Sequence, residues 1–401
     1  MFINQLGCLF INTVLWGIAF FLFIPIMVLF IECMAAFLPS RSQAEDISGS
    51  RPKVSVLIPA HNEELCIGKT LSTLMQELTD QDSLVVIADN CTDETVTIAN
   101  KFGATVVKRI EPNRRGKGYA LDYGLRFIKA NPPEVVVMVD ADCTVHQGTI
   151  ARLARSVDTV RRPVQATNLL TLPAKPTPKD TVSSLGFMVK NLVRQKGLKR
   201  MGLPGLLTGT GMAFPWSLIS EASLASGNIV EDKQLGLDLT LAGHPPVFCE
   251  EALVTGSLPQ EEQAARTQRT RWVHGHLQTL LTQIPLLLKA SVGQRRFDLL
   301  ALALDLCVPP LSLLIMMWMV VMGVALFSAA LGASWTPGIF LAIQGLLMLT
   351  AIIGAWAKFG RANLPLPTLL SVPFYILWTI PIFWSFLVRP QKTWIRTERD
   401  K

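Results

Sequence analysis

The stretch VVVMVDADC, residues 135–143, sets two aspartates one residue apart directly after an unbroken apolar run. A β-branched run of this kind reads as a strand buried on both faces. Side chains two apart on an extended chain point the same way, so Asp140 and Asp142 are expected together at the strand's exit, about 7 Å apart. Two carboxylates so close repel unless a cation joins them. Magnesium or manganese takes hard oxygen ligands and bridges carboxylates to phosphate, which would remove that repulsion. A solvated loop is the plain alternative for such a pair by itself, and the buried strand before it argues against that reading.

A second acidic pair, Glu231 and Asp232 in NIVEDKQLG, lies 90 residues beyond Asp142, so only the fold could unite the two. Alone it reads as the start of a helix, with acids beside the N-terminal dipole and Gly243 closing the far end. QRTRWVHGH, residues 268–276, adds Arg271, a guanidinium suited to phosphate oxygens, and Trp272, a flat apolar face suited to a sugar ring. The plain alternative is an amphipathic helix with its tryptophan in the core. His274 and His276 follow within reach of the same ligand, although ordinary structural roles suit them better.

The elements that must position these residues alternate in type. KVSVLIP (53–59), SLVVIAD (83–89), ATVVKRI and VVVMVD read as strands, separated by helix-like stretches at 65–78, 93–102 and 117–130. Thr92 or Asp93 is the expected cap of the second helix and Gly103 its stop. This β-α-β-α-β order predicts a parallel, doubly wound α/β sheet, which binds ligands beyond the carboxyl ends of its strands. Those ends are PAHNEE, ADNCTD and VDADC, all polar and acidic. No GxGxxG follows the first strand, GTG at 209–211 is an isolated fragment, and RRGKGYA lacks the Ser/Thr of a phosphate-binding P-loop. A dehydrogenase or an ATPase is therefore disfavoured.

The 401 residues are 50% hydrophobic with a mean hydropathy of +0.38, too apolar for one ordinary soluble domain. Residues 6–38 carry a single charge, Glu32, over a length that spans a bilayer once. The run lacks a basic leader and exceeds a signal-peptide core, so it reads as an anchor. Further apolar stretches occupy roughly 300–333, 338–357 and 366–388. The net charge of +7 suits a lipid surface, and no zinc-knuckle spacing or RNA-binding aromatic pattern favours nucleic acid. Seven cysteines without CxxC read as isolated reduced thiols. Arg41, Arg51 and Lys53 follow the first apolar run, which places residues 40–298 in the cytosol. Pro365, Pro367, Pro373 and Pro381 favour a bent or re-entrant segment over 366–388 with a cytosolic tail, and a full crossing stays open. The basic stretch 189–202 suits either an anionic lipid-linked substrate or a helix at the membrane surface.

Taken in order, Asp89 in ADNCTD, DAD at 140–142, VED at 230–232 and QRTRW at 268–272, opened by VSVLIPAHNEE, resemble a family-2 glycosyltransferase of the GT-A fold. The likeness is to the membrane-embedded branch of cellulose, hyaluronan and poly-N-acetylglucosamine synthases, and covers about residues 50–290 plus the layout of the helices. It implies a Rossmann-like cytosolic GT-A domain over 50–290, an N-terminal anchor over 1–39, a C-terminal transmembrane region over 298–389 and a basic tail over 390–401. It implies that Pro59, Asn62 and Glu63 line the nucleotide-base pocket and that Asp89 contacts base or ribose. Lys117 would lie near the donor. Asp140 and Asp142 would flank Mg2+ or Mn2+ and the diphosphate, with Asp142 the direct ligand. Asp232 would be the catalytic base, Arg271 would face the diphosphate, and Glu231, Gln268 and Trp272 would line the acceptor. The sequence departs from the family at Asn90, where many members carry a second Asp, at Cys91, where they carry Gly, and at Val230, where they carry Thr. No required carboxylate is lost.

The resemblance implies an inverting, metal-dependent transferase that moves a sugar from a nucleotide donor, UDP-linked by preference. The acceptor would be membrane-associated or lipid-linked, in polysaccharide synthesis at the bacterial inner membrane. The partners expected are that donor, a lipid-linked or growing saccharide acceptor and membrane lipids, and no nucleic acid. A processive synthase that extrudes its polymer, a metal-dependent nucleotidyltransferase and a non-enzymatic nucleotide-binding subunit are the competing readings.

Overall fold

The computed structural model describes residues 2–39, 51–225, 230–259 and 261–391. They fall into two compact units: one of Met1–Leu38, Thr177–Met201 and His276–Val388, the other of Pro39–Pro176, Gly202–Gly275 and Arg389–Lys401. The stretch 177–201, expected within the central domain, therefore groups with the apolar helices. Residues 392–401, most of the expected basic tail, lie outside the described residues.

The chain opens with α1 (Phe2–Ala35) and enters the second unit at β1 (Val54–Ala60), followed by α2 (Ile67–Met75) and β2 (Ser83–Asp89). Next come α3 (Thr95–Lys101), β3 (Thr105–Arg109), α4 (Lys117–Ile128) and β4 (Val135–Met138). β1 pairs in parallel with β2 and β4, and β2 with β3, giving the order β3-β2-β1-β4. Alternation along β1 feeds two cores. Val54, Val56 and Ile58 pack with Ile67, Leu71 and Leu74 of α2, whereas Leu57 packs with Leu121 and Leu125 of α4 on the other face. α4 lies so close to β2 that a Cβ at Gly124 would come within 2.8 Å of Ile87. The N-cap of α3 is Glu94 rather than Thr92 or Asp93, although Asp93 Oδ1 accepts from the Thr95 amide at 3.1 Å just ahead of the helix, and Gly103 closes that helix at φ +74°.

The sheet is mixed rather than parallel throughout. β5 (Cys143–Val145), α5 (Thr149–Val160) and β6 (Val164–Thr171) precede an excursion into the helical unit. That excursion runs through α6 (Pro178–Met188), a π-helical turn at Val189–Arg194 and α7 (Gln195–Arg200). The chain returns as β7 (Met212–Pro215), α8 (Trp216–Ile219), α9 (Glu231–Leu241) and β8 (Val247–Ser257). β7 is antiparallel to β4, so the parallel half ends there and the order continues β4-β7-β6-β8-β5. Beyond β4 helices still separate some strands, α5 between β5 and β6 and α8 and α9 between β7 and β8, and β6 pairs in parallel with β8, but β4–β7, β7–β6 and β8–β5 are antiparallel.

α10 (Glu262–Gly293) links the units and is followed by α11 (Phe297–Leu306), α12 (Leu311–Ala330) and α13 (Thr336–Ala355), which ends in a π-helical turn at Trp356–Gly360. Then come α14 (Pro367–Leu370) and α15 (Val372–Val388). The apolar run 300–333 is split, because Pro309 and Pro310 break it between α11 and α12. Among the described residues three helices are long and apolar enough to cross a membrane: Gly7–Ala35, Leu311–Ala330 and Thr336–Gly360. Within the helical unit Arg194 donates to Glu32 Oε2 at 2.5 Å and to Asp305 Oδ1 at 2.6 Å, and all three side chains are buried. Within the basic stretch 189–202, Arg194 is buried and inserts its guanidinium between Glu32 of α1 and Asp305 of α11. A Cβ at Gly197 would collide with the Glu32 carbonyl, so α7 crosses α1 at contact distance.

Candidate active site

The site lies in the sheet-bearing unit, and its nucleus is an ammonium group. Lys117 opens α4, where Gly116 takes φ +138° and lets the chain turn into the helix. Its Nζ ion-pairs with Asp140 Oδ1, donates to the Gly209 carbonyl at 2.6 Å and stands 4.0 Å from Glu231 Oε1. A Cβ added at Gly209 would stand 3.3 Å from Asp232 Oδ2 and 3.7 Å from Lys117 Nζ, so both acidic pairs reach one point. The 90 residues between Asp142 and Asp232 are spanned by β5–β7 and the helical excursion.

Asp140 and Asp142 meet for a reason other than strand period. β4 ends at Met138, and the chain turns at once, the Cys143 amide donating to the Asp140 carbonyl at 3.3 Å. The turn is held from outside: Thr70 of α2 donates to the Ala141 carbonyl at 2.8 Å, and the Asp140 amide donates to Thr210 Oγ1 at 3.1 Å. Ligand atoms of Asp140, Asp142 and Cys143 lie within 4.8 Å of one another. Burial, with Asp142 and Asp140 adding to it, pushes the Cys143 thiol well above its ordinary range, so it stays protonated. That leaves two carboxylates as donors, a set that fits a hard divalent cation such as Mg2+ or Mn2+ and does not suit zinc.

The electrostatics of the cluster follow from crowding. Burial raises Asp140 above the usual carboxylate range against the pull of Lys117. Burial likewise raises Glu231 to about 7, again opposed by Lys117 and reinforced by Asp232. Burial alone would lower Lys117, but Asp140 and Glu231 overcome it and its pKa is raised, so it remains charged. One fixed cation thus faces several acids.

Asp89 belongs to a neighbouring knot built from other residues. It ends β2, buried, with Oδ1 accepting from Arg109 at 2.6 Å and from Asn90 at 2.9 Å. Its burial raises the carboxyl, and Arg109 works against that shift. Arg109, whose role is not evident from its sequence position, also reaches Glu111 at 3.1 Å and lies 5.5 Å from the centre of the Tyr119 ring. Because Tyr119 follows Lys117 on α4 by two residues, the first turn of that helix serves both groups. Asn90 takes φ +52° and bonds the Glu111 amide, a left-handed turn that asparagine tolerates better than most residues. Asn62, at φ +56°, clasps the β1 and β2 loops: its Oδ1 accepts from the Thr92 amide at 2.7 Å. The Glu63 amide donates to Thr95 Oγ1 at 2.8 Å. Pro59 pairs in register with Ile87, beyond the last β1–β4 pair at Leu57, where its missing N–H leaves no β4 bond unmade.

Gln268, Arg271 and Trp272 fall on consecutive turns of α10, so spacing alone puts them on one face. Gln268 is buried, and Arg271 and Trp272 are half-buried, with the Arg269 guanidinium 5.9 Å from the centre of the Trp272 ring. A Cβ at Gly275 would collide with Val230 Cγ1, so α10 rests directly on the residue that leads into Glu231 and Asp232. Val230, a departure from the family pattern, is thus a packing residue. His274 Nδ1 accepts from the Gln391 amide at 3.1 Å, and His276 Nε2 lies 3.1 Å from the Val308 carbonyl.

The fragment GTG at 209–211, isolated in the sequence, is a site loop. Gln165 of β6 bonds the Thr208 amide at 2.8 Å and the Thr210 carbonyl at 2.9 Å, fixing the loop that presents the Gly209 carbonyl and Thr210. Gly209 takes φ +93° and Gly211 φ +65°, and a Cβ at Gly211 would press on Ala166 and Val254 at 2.9 Å. Two positive-φ glycines around a threonine were the available signal.

Residues 52–275 match the family described as "Glycosyltransferase like family 2". The chain is 26% identical over 256 residues to the "Probable glycosyltransferase YdaM" of Bacillus subtilis, a match covering 62% of this chain and 61% of that protein. It is 25% identical over 317 residues to the "Beta-monoglucosyldiacylglycerol synthase" of a Nostoc species, covering 76% of this chain and 66% of the relative. These matches span just under two-thirds of the relatives' own length. Among solved structures, a mannosyltransferase from Pyrobaculum calidifontis, in complex with GDP-Man and Mn2+, superposes with a TM-score of 0.54 at 18% identity. That superposition covers 89% of this chain and 98% of the other, and shows the same fold.

Proposed function

The chain belongs to the glycosyltransferase-like family 2, and from that premise we propose that it transfers one sugar from a nucleoside-diphosphate donor to a lipid or lipid-linked acceptor in the membrane, with inversion at the anomeric carbon. The observation that carries the proposal is the convergence of Asp140, Glu231 and Asp232 on Lys117 in a chain that also has three helices able to cross a bilayer. A soluble acceptor requires no such helices. Two relatives support a lipid acceptor by their printed names, one a synthase of a glucosylated diacylglycerol and the other a 4,4'-diaponeurosporenoate glycosyltransferase. Three long apolar helices among the described residues are few for a polymer channel, which favours single addition over processive synthesis. Apolar helices before and after a QxxRW-bearing stretch in the sequence support a place in the membrane-embedded branch of the family.

In this reading Asp232 takes the proton from the acceptor hydroxyl, which attacks the anomeric carbon from the face opposite the diphosphate. Asp140 and Asp142 would hold Mg2+ or Mn2+, which supplies positive charge where the departing diphosphate becomes negative. Arg271 adds a fixed guanidinium for the same oxygens, and Trp272 gives the acceptor sugar or head group an apolar floor. Lys117 keeps the acids at their mutual distance before substrate arrives. Pro59, Asn62, Glu63 and Asp89 shape the base and ribose end of the donor site, with Asp89 steadied by Arg109. The catalytic unit faces the cytosol of a bacterial inner membrane. Arg51 and Lys53 shortly after α1 support this, and so do cysteines that are all free among the described residues.

The test uses purified full-length protein in detergent with Mn2+, a panel of UDP- and GDP-sugars and an extracted lipid acceptor. Release of a nucleoside diphosphate together with a glycosylated lipid is expected, and release of pyrophosphate would point to a nucleotidyltransferase. Asp232→Asn should lower transfer by roughly 10²–10⁴-fold, the range for a lost general base, while thermal-shift binding of the donor persists. Loss of donor binding with transfer falling only in proportion would remove Asp232 from the role of base.

A further inference from the structure

Residues 361–391 follow α13 and contain the apolar helix α15, which has no charged residue from Val372 to Val388. Its 17 residues make a rod of roughly 25 Å, against a hydrocarbon thickness of roughly 30 Å. Length alone leaves its path open, but the two ends are fixed by contacts. At the near end, the π-helical turn that finishes α13 meets the end of α1: Lys358 lies 4.7 Å from the centre of the Phe37 ring and donates to the Phe37 carbonyl at 3.4 Å. The catalytic unit begins at Pro39, two residues after Phe37, so the end of α13 lies beside the end of α1 from which the chain enters that unit. At the far end, the Gln391 amide donates to His274 Nδ1 within the catalytic unit. Only two residues, Arg389 and Pro390, lie between Val388 and Gln391, a reach of about 11 Å at most. Midway, Trp378 stacks under the Lys179 ammonium at 5.1 Å, and Lys179 is three residues from the point where the chain leaves the catalytic unit. A crossing helix would put Val388 on the opposite face, too far for Gln391 to return.

We propose that residues 361–391 do not cross the bilayer but dip into the leaflet on the catalytic side and come back out, forming a lipid-embedded lip whose returning end is pinned at His274, two residues past Trp272. Its occupant is the acyl region of that leaflet. Leu370, Phe374, Leu377, Trp384 and Leu387 are each more than half exposed, and a face this apolar on an uncharged helix is not stable in water. Pro365 and Pro367 before the helix and Pro381 within it fit a segment that enters and turns rather than spans. Arg389 then emerges on the same face as Lys358 and Arg361, as the charge asymmetry of membrane proteins requires. Only the identification of a leaflet lipid as acceptor rests on the proposed transferase function; the path of the chain stands apart from it.

The experiment is membrane-sided labelling of the full-length protein with an impermeant maleimide, in right-side-out and inverted vesicles, with the signal of the native cysteines subtracted. Asn363→Cys, Arg389→Cys and Leu331→Cys mark the two ends of the lip and the α12–α13 turn. Asn363→Cys and Arg389→Cys should label from one face and Leu331→Cys from the other. Labelling of Arg389→Cys from the Leu331→Cys face overturns the proposal. An environment-sensitive fluorophore at Leu377→Cys, in nanodiscs containing brominated phosphatidylcholine, should lose emission to the bromolipid. Undiminished, water-like emission there would show that the helix is not in the leaflet. Neither readout needs turnover, so an inactive preparation would count against the transferase reading and leave this one standing.

Discussion

Two of the clusters in which acids gather around one base, those at Arg194 and Lys117, are built to opposite ends. In the helical unit Arg194 grips Glu32 and Asp305 with both sides of its fork, at 2.5 and 2.6 Å, and also donates to the Asp305 carbonyl at 2.8 Å. The three side chains are 8%, 3% and 3% exposed. In the catalytic unit Lys117 ion-pairs with Asp140 and merely approaches Glu231, and Asp140 remains 34% exposed. A guanidinium has a fixed geometry that, once satisfied, leaves little room for a newcomer. An ammonium is a point charge whose partners can be exchanged. The first cluster is closed and joins helices; the second is partly open, as the proposed binding of a cation and a substrate requires. Burial of charge therefore does not by itself mark a catalytic site. The exposure of one partner and the freedom of the base separate the two cases.

The largest effect that tests this contrast is on stability. Arg194→Met leaves Glu32 and Asp305 buried without their cation, and breaking a buried pair in this way costs about 3–5 kcal/mol. The expected result is a large fall in melting temperature and in the yield of folded protein, with donor binding unchanged in what remains folded. Replacing all three residues at once, with Glu32→Gln and Asp305→Asn added, should restore much of the loss because no charge is then stranded. A stable Arg194→Met protein with little transferase activity would break the comparison, since the helical cluster would then be functional.

A smaller effect is expected at Lys117. Lys117→Met should lower kcat/KM by roughly 10–100-fold, or about 1.4–2.7 kcal/mol of transition-state stabilisation, with little change in melting temperature. Stability is spared because Asp140 keeps access to solvent and a divalent ion can take up the negative charge. Calorimetry of Mn2+ binding sharpens the point: without the ammonium, affinity for Mn2+ should rise even as transfer slows. Parallel loss of folding and activity would make Lys117 another structural base like Arg194.

Much of this was legible in the sequence, and what was not has physical reasons. The β1–β4 half follows from local periodicity, and SLVVIAD coincides with β2 residue for residue. Antiparallel β7 could not be read, because its four residues, MAFP, carry no alternation and owe their place to β4. Asp140 and Asp142 were paired correctly on a faulty premise: a turn held by Thr70 and Thr210 gathers them, and neither threonine is near in sequence. Arg109 and the Gly209 carbonyl were invisible because tertiary contact alone gives them a role. The role of Arg194 was hidden for the same reason, since its two acids lie 162 and 111 residues away.

The smallest effect is also the most diagnostic. Glu231 and Asp232 are adjacent acids beside one ammonium, and burial lifts Glu231 from 4.5 to about 7. An acid whose folded pKa is raised favours the folded state while protonated. The stability that this gives is complete below about pH 4.5 and is lost as pH rises through about 7. At neutral pH Glu231 therefore carries a proton for much of the time, which under the proposed function leaves the role of base to its neighbour. Glu231→Gln imitates the protonated form. It should change the transfer rate at pH 6 by no more than about two- to threefold, well under 1 kcal/mol. It should also remove the component of unfolding stability that varies between pH 4.5 and 7 in the metal-free wild type. A Glu231→Gln enzyme as inactive as Asp232→Asn would mean that the two acids work as one unit. The open cluster would then hold a shared proton instead of a separate base, and its contrast with the closed one would rest on exposure alone.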